Sequence, residues 1–227
     1  MASPSRVAMD SWVRWAAAGM AARFGTRAVR VLDIGCGSGY VRTLLADAGL
    51  SGEYVGVDQT EHPAFRALSC AAFAPRMIVG DIHALEPGDV GPVDLLISMT
   101  ALEHFEDDRK ALARARRLLA PGAGELHIVP AERGLRLWGC HGWRQYSPRC
   151  VRELCPRAEI HAIGGACSAW VHEQMITRPN RRGIDGRARR PRLYRALRRA
   201  SHPIDRVLCN RPASLYAAVI WPEGDRS

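Results

Sequence analysis

Val31-Leu32-Asp33-Ile34-Gly35-Cys36-Gly37-Ser38-Gly39-Tyr40 runs from a short apolar strand into three glycines at alternate positions. Glycine has no Cβ, so such a loop can turn sharply and let a ligand approach its backbone. A strand ending in a glycine loop that opens a helix marks a nucleotide-type cofactor site. The spacing narrows the choice of cofactor. A dinucleotide fingerprint reads G-x-G-x-x-G, and the place of its third glycine holds Tyr40, which disfavours an NAD-linked oxidoreductase.

Outward from this loop, β-type apolar runs alternate with helical ones. Strands are predicted over 29–34, 53–57, 76–79, 93–98, 125–130, 158–163 and 214–221. Helices are predicted over 39–48, near 63–71, over 107–120, and from a Ser147-Pro148 start to about Cys155. Leu118-Leu119-Ala120-Pro121-Gly122 reads as a helix end, because proline and glycine stop helices. Trp12, Trp15, Ala16, Met20 and Phe24 fall near helical spacing and predict an amphipathic N-terminal helix over 10–24. Alternation with short connections argues for an α/β, doubly wound sheet, mostly parallel and seven-stranded, with ligands at the carboxyl ends of its strands.

The loop's full pattern, D-x-G-x-G-x-G, resembles the first motif of the class I S-adenosylmethionine-dependent methyltransferases of small-molecule type. Further segments in the right order extend the resemblance. Asp58 ends the strand after the loop, nineteen residues beyond Gly39, and a carboxylate there can accept both hydrogen bonds of a ribose diol. Gly80-Asp81-Ile82 resembles the family segment in which an acidic residue and the following backbone hold adenine. Asp94 to Met99 resembles the fourth strand, Leu102-Glu103-His104-Phe105 the sequence beyond it, and Leu118 to Gly122 the helix end before strand five. The resemblance implies S-adenosylmethionine as cofactor, S-adenosylhomocysteine as product, and an antiparallel last strand. It carries over Asp33, Gly35, Cys36, Gly37 and Gly39 to the methionine end, and Asp58 and Gln59 to the ribose. Asp81 and Ile82 fall to the adenine, with Ser98 and Met99 at the end of the fourth strand.

Methyl transfer is an in-line displacement, so the protein must orient the acceptor and, for a hydroxyl, receive its proton. His141, in His141-Gly142-Trp143-Arg144-Gln145-Tyr146-Ser147 after strand five, is one candidate base, with Arg144 and Tyr146 to orient the acceptor. His104 is the rival base. The plainer reading of each histidine is structural: His141 caps its loop, and His104 ties the fourth-strand loop to nearby backbone. Cys140, His141, Cys150, Cys155, His161 and Cys167 lack the paired spacing of a zinc knuckle, so no metal is expected.

With 227 residues, 47% of them apolar, the chain suits a single domain. It divides into an N-terminal helix at 1–26, a core at 27–165 and 213–222, and an insertion at 166–212. No apolar run approaches a membrane span and no leader pattern opens the chain; with seven irregularly spaced cysteines, this predicts a cytoplasmic protein with reduced thiols. The net charge of +9 is concentrated. Residues 176–212 hold twelve arginines against Asp185 and Asp205, a net +10, and the remainder sums to −1. Leu193, Leu197, Ile204 and Leu208 recur there at helical spacing between arginines, predicting a basic amphipathic helix. Four readings of it stand: a substrate lid for an anionic acceptor, a nucleic-acid contact, a membrane or partner surface, and a solvated face. The expected function is methyl transfer to a small acceptor, with an anionic one favoured, at oxygen. Its rivals are an RNA methyltransferase using the arginines on phosphates and a non-catalytic cofactor-binding partner protein.

Overall fold

The computed structural model describes residues 1–139, 142–208 and 212–223. Seven strands, β1 (Val29–Ile34), β2 (Gly52–Asp58), β3 (Phe73–Val79), β4 (Val93–Met99), β5 (Leu119–Pro130), β6 (Glu159–Ile163) and β7 (Leu215–Ile220), form one sheet in the order β3-β2-β1-β4-β5-β7-β6. β1 to β5 pair in parallel, and β7 runs antiparallel to both β5 and β6. The helices are α1 (Pro4–Phe24), α2 (Val41–Asp47), α3 (Ala64–Ala67), α4 (Pro87–Val90), α5 (Asp108–Arg116), α6 (Leu135–Trp138), α7 (Pro148–Leu154), α8 (Ala166–His172), α9 (Arg178–Asn180), α10 (Gly186–Arg189) and α11 (Pro191–Val207).

The central strands read as unbroken apolar runs because both their faces are covered. Val31, Leu95, Ile97 and Leu126 pack on one face with Val13, Ala17 and Met20 of α1. Leu32, Ile34 and Leu96 pack on the other with Ala111, Leu112 and Ala115 of α5 and Val151 and Leu154 of α7. β1 lies between β2 and β4, so the chain leaves the middle of the sheet in both directions. The crevice at that reversal, outside the carboxyl ends of β1 and β4, is where sheets of this kind take ligands.

Two local expectations shift. α1 starts at Pro4, because the Ser3 hydroxyl accepts the Arg6 N–H at 3.2 Å and proline suits the first turn. The stretch Leu119 to Gly122 opens β5 instead of closing a helix, since α5 already stops at Arg116. The ladder there is irregular: Val93 faces Leu119, but Leu95 faces Gly124. That bulge admits Pro121, which has no N–H to give a ladder.

The insertion, α8 to α11 with a π-helical turn at Glu173–Thr177, carries its own small core of Val171, Met175, Ile176 and Tyr194. Among the described residues, no helix is long and apolar enough to cross a membrane.

Candidate active site

The loop between β1 and α2 owes its shape to two glycines with different neighbours. Gly35 (φ +69°) and Gly37 (φ +50°) both occupy the left-handed region that side chains avoid. A Cβ on Gly35 would lie 2.4 Å from the Cβ of Ala101, so the loop after β4 is pressed against it. A Cβ on Gly37 would meet no atom within 4 Å. The first glycine closes the packing; the second faces open space.

Carboxylates surround this loop. The Gly37 N–H donates to Asp58 Oδ2 at 2.9 Å, drawing the end of β2 against the glycines. Asp33 is buried beneath it, accepts from the Tyr54 hydroxyl, and keeps Oδ1 buried with no hydrogen-bond partner. Burial pushes the Asp33 carboxyl up to about 7; the Tyr54 hydrogen bond opposes that rise and the Asp58 charge adds to it. Asp81 accepts from the His83 N–H at 3.0 Å and the His83 ring at 2.8 Å, which hold its carboxyl below the ordinary range.

A cleft of about 200 Å³ opens at these strand ends, with Asp58, Gln59 and Asp81 as polar groups and Val57, Ile82 and Phe105 as apolar walls. Such a lining suits a ligand with a diol at one end and a flat heterocycle at the other. A second cavity of about 160 Å³ is lined by Ser3, Ser5, Arg6 and Met9 of the N-terminal segment, by Thr100 and Glu103, and by Pro130, Trp138 and Leu215. Thr100 borders both cavities. Among the described residues it is the one non-glycine with positive φ, at +52°, a strained conformation of the kind found at functional sites.

Glu103 is fully buried, and burial lifts its carboxyl to about 7. The loop after β5 closes over it: the Trp143 N–H donates to the Glu103 carbonyl at 2.6 Å. His104 lines the cofactor-type cleft, half exposed, with Nε2 4.0 Å from Glu103 Oε1. His141 lies outside the described residues.

Several residues singled out in the sequence stand elsewhere. Ser98 is buried in the sheet, its hydroxyl 2.8 Å from His127 Nδ1, and Met99 packs on the core; Thr100 and Ala101 line the cleft in their place. The Cys36 thiol is buried 3.7 Å from Met77 Sδ, and the Gly39 N–H donates to the Cys36 carbonyl at 2.8 Å, so both residues hold the turn. Arg144 and Tyr146 converge on Asp108 at the start of α5. Arg144 Nη1 donates to Oδ1 at 2.6 Å and the Tyr146 hydroxyl to Oδ2 at 2.7 Å, with Tyr146 buried. Thr100, Glu103, Ser5 and Arg6 were not singled out in the sequence. Only Glu103 carried a signal, as a member of Leu102-Glu103-His104.

Residues 32–126 match the family described as "Methyltransferase domain". Over this segment, from β1 into β5, the chain is similar to a methyltransferase domain. An uncharacterized methyltransferase of Mycobacterium bovis is 35% identical over 117 residues, 50% of this chain and 57% of that protein. The ubiquinone biosynthesis O-methyltransferase of Caulobacter sp. (strain K31) is 31% identical over 137 residues, 52% of this chain and 53% of that protein. The chain thus spans little more than half the length of either relative. The plantazolicin methyltransferase BpumL, solved in complex with SAH, shares the fold with a TM-score of 0.57 at 15% identity, over 96% of this chain and 85% of that one. The methyltransferase match runs from β1 into β5, so it contains the cleft and leaves out α1, α6 and β7, which wall the second cavity.

Proposed function

We propose that this domain transfers the methyl group of S-adenosylmethionine to an oxygen of a small acceptor held in the second cavity. The observation that carries the reading is the junction at Thr100, where a cleft fitted to a nucleoside meets a cavity beside it. The residues fit the cofactor. Gly37 faces open space where a Cβ would intrude, Asp58 offers a carboxylate to a diol, and Asp33 holds a buried oxygen without a donor. When bound, S-adenosylmethionine supplies a methyl on a sulfonium, activated for displacement.

The protein's own part is orientation and proton transfer. Thr100 fixes the backbone between the two spaces, so an acceptor in the second cavity approaches along the line that joins them. Glu103, with a carboxyl raised to about 7, is the group placed to take the proton of an acceptor hydroxyl near neutral pH. Arg6 gives the same cavity a cation that favours an anionic acceptor, although Asp10 at 3.4 Å shares its charge. The named relative from Caulobacter, an O-methyltransferase, supports an oxygen acceptor. The test is turnover of S-adenosylmethionine against a panel of hydroxylated carboxylic acids and their esters. The reading expects product with the acids and a lower kcat/KM for the esters; methylation of RNA alone would overturn it.

A further inference from the structure

No residue of the arginine-rich segment lines either cavity, and its longest helix turns most of its large aliphatic side chains away from the fold. α11 turns Tyr194, Ser201 and Asp205 inward. The Tyr194 hydroxyl donates to the Ala2 carbonyl at 2.6 Å. Asp205 accepts from the backbone N–H groups of Cys167 and Ser168 at 2.8 and 3.1 Å, capping α8. The inward face joins these polar groups to Tyr194 and Leu197, which pack on the small core, while the other large aliphatic side chains point out. Leu193, Ile204, Val207 and Leu208 are exposed, Val207 by 82% and Leu208 by 52%. With the exposed Ala196 and Ala200 they recur every three or four residues, which on a helix makes one continuous stripe.

Arg192, Arg195, Arg199 and Arg206, all exposed, recur at the same period along one edge of that stripe. No acid of the segment offsets them. Asp205 is buried, and Asp185 is paired with Arg187 at 3.0 Å. Just before α11, Arg178, Arg182, Arg189 and Arg190 line a groove of about 390 Å³ together with the exposed Ile184. Arg178 is paired with Glu173 at 3.0 Å, so the surface presents an aliphatic stripe beside a ridge whose uncompensated cations are Arg192, Arg195, Arg199 and Arg206.

We propose that α11 docks in the plane of an anionic lipid membrane, its aliphatic stripe among the acyl chains and its arginines on the headgroup phosphates. A lipid surface offers an apolar layer beneath an anionic one, which matches the stripe and the ridge together. RNA would use the ridge but leave the stripe in water. A second copy would cover the stripe but oppose two arginine ridges. Docking also reaches the acceptor cavity, because Arg187 and Arg198 donate to the carbonyls of Met1 and Ala2 at 3.1 and 3.3 Å, next to the wall residues Ser3, Ser5 and Arg6.

The test is sedimentation of the full chain with phosphatidylglycerol or phosphatidylcholine vesicles, independent of any methyl transfer. Binding to phosphatidylglycerol is expected to exceed that to phosphatidylcholine by about tenfold or more. Ile204→Glu with Val207→Glu abolishes it, and Arg195→Gln and Arg199→Gln each weaken it by about fivefold. All four side chains are exposed, so all three variants keep the wild-type melting temperature. In Val207→Trp, emission from the added indole is quenched by brominated lipid. The proposal is overturned by no binding to phosphatidylglycerol at millimolar lipid, or by binding that Ile204→Glu with Val207→Glu leaves intact. It is also overturned by an unquenched indole, by a polyuridine affinity above that for vesicles, or by dimerisation through the stripe without lipid binding.

Discussion

Asp33 and Glu103 are buried carboxyls with the same electrostatic situation and different neighbours. Burial lifts each to about 7, with a hydroxyl and a second carboxylate near Asp33 and the second cavity beside Glu103. An unfolded chain ionises such groups near pH 4. Between those values the fold keeps protons that the unfolded state releases, so the stability they contribute is full below about pH 4 and declines as pH rises toward 7. Chemical denaturation at several pH values should therefore show the wild type losing stability relative to Asp33→Asn between pH 5 and 7; a constant difference would contradict the buried acid. For Glu103, the proposed proton acceptor, turnover should rise with pH through about 7. Glu103→Gln should lower kcat by about 10² to 10⁴ and flatten that rise while leaving cofactor affinity unchanged. Parallel loss of melting temperature and activity would instead assign the residue to packing.

The glycine loop and the Asp108 cluster show how elements position a site that no single residue defines. A methyl added at Gly35 collides with Ala101 and also strains the backbone, so Gly35→Ala should destabilise the fold by about 2 to 4 kcal/mol. At Gly37 the new methyl has room, and only the left-handed backbone resists it, at about 1 to 2 kcal/mol. Its main effect should be lost cofactor affinity, so melting curves and calorimetry separate the two variants. Tyr146→Phe removes a buried hydroxyl from Asp108 and should cost about 1 kcal/mol in thermal denaturation with cofactor affinity unchanged. A larger fall in turnover than in stability would restore the acceptor role that the sequence suggested. The elements themselves were legible wherever pattern and burial coincide, as in β1 and β4, covered on both faces. Leu118 to Gly122 was misread because proline and glycine end a helix and also admit a bulge, and only the pairing of Val93 and Leu95 across the ladder distinguishes the two.

Across the whole molecule, the two halves of the site differ in how the chain builds them. The cofactor-type cleft is assembled from successive strand ends, each followed at once by its polar residue, so Asp58, Gln59 and Asp81 could be found by spacing along the sequence. The second cavity joins Ser5 and Arg6 to Thr100, Pro130, Trp138 and Leu215. No local pattern connects residues that far apart, and neither the positive φ of Thr100 nor the burial of Glu103 is written in residue type. The outward stripe of α11 was equally hidden, since periodicity shows an apolar face without showing which way it points. Calorimetry with S-adenosylhomocysteine tests whether a cofactor seats between the glycine loop and Asp58. The wild-type chain should bind one molecule, and Asp58→Ala should lose about 1 to 3 kcal/mol of that affinity; no binding by the wild type, or equal binding by the variant, would contradict it.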